Sequence, residues 1–320
     1  MPEQLDPQPP CADPQRDQGE VASQGLHPPA PTPVSSPPGD HAGSLEHDRP
    51  DPRKPASALV IMRQQWRELL FLHWTVEPES VQRLLPPPLE VDLYEGAAYV
   101  GLVLFTMRGV RPVGFPPVPG LSDFHETNVR TYVTFGGREP GVWFFSLDAA
   151  NAVAVWLARA WFHLPYHRAG MFLERETIGE AGSGQIASLL YAGNRRWPGP
   201  IPASYLIRAE LTGPPRPADP GSLLEFLAER YVLYAMGKRH LYQGRVHHDP
   251  YPLQDAVVTT LDENLIAAAG LLRPDSPPLA HFSAGVDVRI EPLRRVARLN
   301  GTAPAGPPDR PSSKRMAGSR

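Results

Sequence analysis

Cysteine is nearly absent from this sequence. The single thiol in 320 residues is Cys11, set in a stretch crowded with proline. Disulfide frameworks and thiolate metal clusters are thereby excluded, a cysteine nucleophile has no support, and a reducing, cytoplasmic setting is expected. Lysine is scarce too, occurring only at positions 54, 238 and 314. No apolar run approaches the ~20 residues that a membrane helix needs, so no membrane association is expected. The N-terminus is acidic and proline-rich where a secretory leader would need a basic start and an apolar stretch. The glycine signatures of dinucleotide and P-loop sites and the GxSxG elbow of α/β-hydrolases are missing, and no cofactor is indicated.

Proline, by contrast, is abundant at 41 residues, and fourteen of these fall within the first 55 positions. Such a segment, poor in aliphatic residues, cannot bury enough apolar surface to offset its ordering entropy. Residues 1–57 and the similar stretch 300–320 are expected to be disordered tails, leaving 58–299 as a single domain. Eight of the 31 Lys and Arg and ten of the 34 Asp and Glu lie in the tails. The remaining 23 basic and 24 acidic residues leave a core near minus one, which argues against nucleic acid as a partner, since phosphate contacts need a net basic face.

Within the core, most segments read as strands. Glu77 to Leu85 predicts one or two helical turns halted by Pro86-Pro87-Pro88. Tyr99 to Thr106 predicts a buried strand, and Thr127 to Phe135 with Val142 to Leu147 predicts a hairpin across the turn GGREPG. A helix is expected from about Ala149 to Phe162, capped by Ser146 or Asp148, with Val153, Trp156, Leu157 and Ala160 as its core stripe. Ser222 to Glu225 reads as a capping box opening a second helix. Further strands are expected at Ile186 to Tyr191, Tyr205 to Leu211, Tyr231 to Ala235, Leu241 to His247, Val257 to Leu261 and Gly285 to Ile290. Many antiparallel strands with few helices make an α+β fold, a closed or strongly curved sheet that removes its own edges.

One strand carries the chemistry. Period two places Glu126, Asn128, Arg130 and Tyr132 on one face and Thr127, Val129, Thr131 and Val133 on the other. The polar face either meets solvent or lines an interior in which the charges satisfy one another or a ligand. An inward Arg130 suits an anionic ligand. Tyr166 and His167, after the helix, join the candidates, with Glu126 and His167 as acid or base and Asn128, Arg130, Tyr132 and Tyr166 as ligand-binding groups. Adjacent His247 and His248 point to opposite faces of a strand, and the remaining histidines lack ligand spacing, so no metal site is expected.

The strings Trp66 to Trp74 (WRELLFLHW), Leu84 to Asp92 (LLPPPLEVD), Phe124 to Tyr132 (FHETNVRTY), Gly141 to Ala149 (GVWFFSLDA), Leu164-Pro-Tyr166 and Phe226 to Tyr231 (FLAERY) together resemble the YqjF-like family of uncharacterised proteins. That family is grouped with acetoacetate decarboxylase-like proteins. The resemblance implies an antiparallel β-barrel or cone flanked by a few helices around a cavity. It also implies that Glu126 matches the superfamily's active-site glutamate. The same resemblance puts Tyr166 and His167 at the positions of the two active-site lysines, so the Schiff-base nucleophile is missing. Three readings follow. The chain encloses a pocket for a small, anionic organic ligand, or it is a lysine-independent lyase or isomerase on a keto or enol substrate, or it is a non-catalytic interaction module. Homo-oligomerisation stays open.

Overall fold

The computed structural model describes residues 59–178, 185–199 and 202–299. The two proline-rich tails, expected to lack a core, lie outside the described residues. The order of elements is β1 (Met62–Val76), α1 (Pro78–Gln82), β2 (Leu89–Val91), β3 (Ala98–Pro112), β4 (Phe124–Phe135), β5 (Glu139–Ala149), α2 (Ala152–Trp161) and β6 (Tyr166–Ile178). There follow β7 (Gln185–Trp197), β8 (Ser204–Arg216), α3 (Leu223–Ala228), β9 (Val232–Gly237), β10 (His240–His247), β11 (Leu253–Glu263), α4 (Leu265–Ala268), β12 (Leu279–Ile290) and β13 (Arg294–Arg298). No helix among the described residues is long and apolar enough to cross a membrane.

All the strands join one sheet, which closes into a ring because two strands fork. β5 pairs with β4 along one edge and, along the other, with β9 at Val142 and Trp143 and with β6 at Leu147 to Ala149. β12 pairs with β1 along one edge and with β10 and β11 at its two ends on the other. The wall β12-β1-β3-β4-β5 is thus closed at one end by β9 and β10 and at the other by β6, β7, β8 and β11.

The middle of that wall is buried on both faces. Leu70, Leu72, Leu102 and Leu104 pack into a cluster with Leu189, Tyr191, Tyr205 and Ile207, whereas Leu69, Phe71, Val103 and Phe105 pack on the other side with Leu147, Tyr166, Tyr251 and Val286. This explains why β1 and β3 read as continuous apolar runs rather than as alternating ones. Each fully buried aliphatic side chain stabilises the fold by about 1.5–3 kcal/mol.

Three local expectations are corrected. Ser146, Asp148 and Ala149 stay in β5, held in register with Val129, Thr127 and Glu126, so α2 starts later than expected. Its cap is Asn151, whose side chain accepts from the N–H groups of Val153 and Ala154 at 2.9 and 3.0 Å. The expected stripe fails as well. Val153 and Trp156 are 49% and 61% exposed, and the helix buries Val155 with Ala154, Ala158 and Phe162 alongside. The segment is apolar all round, so periodicity selects no face, and the small alanines allow the closer approach to the sheet. In the capping box, Ser222 accepts from the Glu225 N–H, but the Glu225 carboxylate accepts from Gly221, one residue before the expected donor. The candidates after α2 lie on a strand. Tyr166 begins β6, parallel to β5, and Arg159 donates to the Tyr166 carbonyl oxygen at 2.7 Å, tying the last turn of α2 to that strand.

Replacing the cap tests this account. Asn151→Ala should lower unfolding free energy by about 1 kcal/mol in urea denaturation. Ser146→Ala should lower it by less, because the Ser146 hydroxyl is buried with no hydrogen-bond partner among the described residues. A larger loss from Ser146→Ala would refute the assignment of the cap.

Candidate functional site

The polar face of β4 does not meet solvent. Glu126, Asn128, Arg130 and Tyr132 are all buried, and so are Thr127, Val129, Thr131 and Val133 on the other side. Across β3 the polar residues stand opposite Phe105, Val103 and Gly101, and across β5 Glu126 and Asn128 face Ala149 and Leu147. Small and apolar neighbours leave the polar groups to one another. Gly101 is closely packed, since a Cβ there would sit 3.0 Å from the His73 ring and 3.3 Å from the Arg130 side chain.

Glu126 is bound by Tyr166, whose hydroxyl donates to Oε2 at 2.7 Å. Burial pushes the Glu126 carboxyl up to about 8, hydrogen bonds from Tyr166 and Asn128 oppose that rise, and the charge of Asp148 adds to it. The Tyr166 hydroxyl is held well above its ordinary range, first by burial and then by Glu126, so it keeps its proton and donates. A carboxyl near 8 is able to give or take a proton close to neutrality.

Arg130 sits four residues along the same face. Its Nη2 donates to the Leu227 carbonyl at 2.8 Å and to the Tyr132 hydroxyl at 3.3 Å, and its Nε has no partner among the described residues. The guanidinium lies 5.7 Å over the Phe71 ring and 5.6 Å over the Tyr132 ring. The Tyr132 hydroxyl donates to Leu227 at 2.7 Å and lies 2.8 Å from His73 Nε2. Because Tyr132 has one proton to give, His73 donates from Nε2, and its Nδ1 is left as a buried acceptor without a partner. Burial, then Arg130, depresses the His73 imidazole well below its ordinary value, so the ring is neutral. Tyr251 meets Phe71 edge-on at 5.3 Å, and His248 packs on Tyr251 and Tyr231 at 4.5 and 4.7 Å. Burial lowers His248 to about 4.

Of the residues singled out in the sequence, Glu126, Asn128, Arg130, Tyr132 and Tyr166 share this interior side of the wall. His167 does not join them. It follows Tyr166 on a strand and bonds the Pro198 carbonyl through Nδ1 at 2.6 Å, with burial and Arg195 lowering it to about 4. Glu126 and Arg130 do not bond one another, each having its own hydrogen-bond partners. Asp148 is not a helix cap but pairs with Arg195 at 2.8 Å, both side chains buried. His247 and His248 diverge, His247 lying 2.6 Å from Glu291. Among the described residues no group of three or more His, Cys, Asp or Glu is placed to hold a metal. Their one lysine, Lys238, is exposed in the turn between β9 and β10. The residues that sequence reading missed are His73, His248, Phe71 and Tyr251. A histidine inside the apolar run of β1 was the available signal for the first.

The profile of DUF2071, described as an uncharacterized conserved protein, matches residues 63–287. The uncharacterized protein YqjF of Bacillus subtilis (strain 168) is 37% identical over 235 residues, covering 73% of this chain and 92% of that protein. An acetoacetate decarboxylase-like enzyme from Sphingomonas wittichii RW1 superposes with a TM-score of 0.51 at 15% identity, covering 81% of this chain and 100% of the other. The enduracididine biosynthesis enzyme MppR complexed with pyruvate gives 0.52 at 17% identity, covering 80% and 99%. At such identities the likeness is one of fold: a mostly-sheet, acetoacetate decarboxylase-like ring of strands with few helices.

The raised Glu126 carboxyl sets a pH dependence. Its folded value of about 8 exceeds the ordinary 4.5, so the native state holds a proton that the unfolded chain releases between those values. Its contribution to stability is present below about 4.5 and is lost as the pH rises through about 8. Glu126→Gln, which cannot ionise, should therefore gain on the parent protein between pH 5 and pH 9, by on the order of 3–5 kcal/mol. Denaturation midpoints of both proteins across that range check it, and parallel curves would refute the buried neutral carboxyl.

Proposed function

This chain belongs to the DUF2071 family of uncharacterized conserved proteins, and from that premise we propose that it binds a small organic carboxylate of the keto or enol kind in the interior beside β4. Glu126, Asn128, Arg130, Tyr132 and Tyr166 contact the ligand in this reading. The observation that carries it is the state of Arg130. Its guanidinium is buried, its hydrogen bonds go to a neutral hydroxyl and a carbonyl, and no ion pair to it forms among the described residues. A buried cation without an anion is costly, and a ligand carboxylate is its natural counterion. Aromatic walls from Phe71 and Tyr251 suit a small ligand with an apolar body. MppR, which shares the fold, binds pyruvate, a keto acid of this class.

A catalytic reading is favoured by one further observation, the Glu126 carboxyl near 8. Ionised, Glu126 would take a proton from the carbon next to the ligand's carbonyl, giving an enolate, and protonated it would return the proton to carbon. Tyr166 would hold Glu126 through its one hydroxyl proton. His167 has no part in this scheme, since it is bound to Pro198 away from the group. Imine chemistry finds no nucleophile in this interior among the described residues, since their one lysine, Lys238, is exposed in a turn. The interaction-module reading loses its surface, since the β4 face is buried. A cytoplasmic location rests on the lone Cys11.

Pyruvate and acetoacetate should raise the melting temperature saturably, by the equivalent of about 2.7 kcal/mol at a hundredfold excess over Kd. Arg130→Met, of similar length but uncharged, should abolish the rise. Failure of every keto acid tried, or a full response in Arg130→Met, would sink the proposal. Incubation with acetoacetate and borohydride should leave the mass unchanged, and a stoichiometric adduct on Lys238 would overturn the exclusion of imine chemistry.

A further inference from the structure

Next to this interior, and sharing His248 with it, three neighbouring strands put arginines side by side. Arg63 of β1 stands directly opposite Arg289 of β12 on one edge and opposite Arg111 of β3 on the other. Cross-strand partners share a face of the sheet, with Cβ atoms about 5 Å apart, and like charges so placed destabilise the pairing. None of the three forms an ion pair among the described residues. Arg63 and Arg289 are exposed, and half-buried Arg111 donates to the Gly109 carbonyl, a neutral acceptor, at 2.7 Å. The row borders a cleft of about 200 Å³, which Gln65, His248 and Asp249 also line, with room for one phosphate group or several waters.

Two carboxylates lie at the cleft, and neither cancels the row. Asp287 is already taken by Arg67 at 2.5 Å and by Gln65 at 3.2 Å. Asp249 is then one acidic side chain against three guanidiniums. Three forks converging from adjacent strands suit a tetrahedral dianion, whose oxygens accept from several N–H donors at once.

We infer that this cleft binds a phosphate group, free or as the monoester of a small molecule, on Arg63, Arg111 and Arg289. Arg63 is the discriminating position because it is the middle of the row. If the row exists for an anion, Arg63→Gln relieves repulsion from both sides while removing the central donor.

The full chain, at low ionic strength, is titrated calorimetrically with inorganic phosphate, with glycerol phosphate and with chloride at matched ionic strength. Phosphate or its monoester should bind saturably where chloride does not, and the tighter of the two identifies the source. Arg63→Gln should melt no lower than the parent protein without ligand and should bind at least about tenfold more weakly. Arg289→Gln should weaken binding similarly, which keeps the test open should Arg63→Gln fold poorly. Phosphate acting no better than chloride, wild-type affinity in both variants, or tighter binding of a DNA duplex than of either small phosphate would overturn the inference.

Discussion

Strand β4 has no solvent face, and much of the rest of the structure answers to that constraint. A strand in an ordinary antiparallel sheet turns its polar residues outward, where water satisfies them. Here the wall is sandwiched, so Glu126, Asn128, Arg130 and Tyr132 enter an interior together with the apolar residues of β1 and β3. Each buried polar group then needs a partner from elsewhere in the chain. β6 provides Tyr166 for Glu126, the end of α3 provides the Leu227 carbonyl for Arg130 and Tyr132, and β1 provides His73. The fork in β5 is what allows this, since it places β6 beside the Glu126 end of β4 while β9 closes the other end.

One buried positive charge organises its neighbours. A guanidinium beside a histidine disfavours the protonated ring. His73 and His248 are both driven to the neutral imidazole, burial acting first and Arg130 reinforcing it. Glu126, farther along the strand, escapes the full influence of Arg130, and burial dominates there instead. The result is an interior in which a guanidinium faces neutral rings and carbonyls, beside a carboxyl that holds its proton. That combination has capacity for one added negative charge, which an anion or the ionisation of Glu126 would supply.

Much of this was legible in the sequence, and the failures have physical reasons. Strict alternation along Glu126 to Tyr132 marked one face of β4 whichever way the strand was used. What it did not settle was which way that face pointed, because solvation and enclosure write the same alternating pattern. The hairpin of β4 and β5 was legible from its turn residues, and β3 from its unbroken apolar run. Helix α2 misled because Ala152 to Trp161 is apolar on all sides, so the spacing of Val153, Trp156 and Leu157 did not reveal that the alanine face would be the one to pack. The start of β6 was hidden by Pro165, which reads as a stop signal, although proline is well tolerated just before a strand begins. Tyr251 was invisible, and His73 showed only as a histidine inside the apolar run of β1, because their roles depend on pairings more than fifty residues apart, which no local pattern encodes.

Position 166 bears on what such an interior is able to do. Resemblance to the decarboxylase-like proteins puts a lysine where this chain has Tyr166, next to a glutamate that it keeps as Glu126. A lysine there acts through its nitrogen lone pair, attacking a carbonyl carbon and carrying the electrons of bond cleavage into an imine. A tyrosine whose hydroxyl is held well above its ordinary range has no lone pair of comparable reactivity, and only its proton is available. It positions Glu126 at 2.7 Å and stabilises charge on oxygen. On the proposed reading, with tyrosine at 166 and a carboxyl held near neutrality, hydrogen bonding and proton transfer take the place of covalent capture, and a ligand carboxylate would fall to Arg130, which is buried and has no ion-pair partner among the described residues.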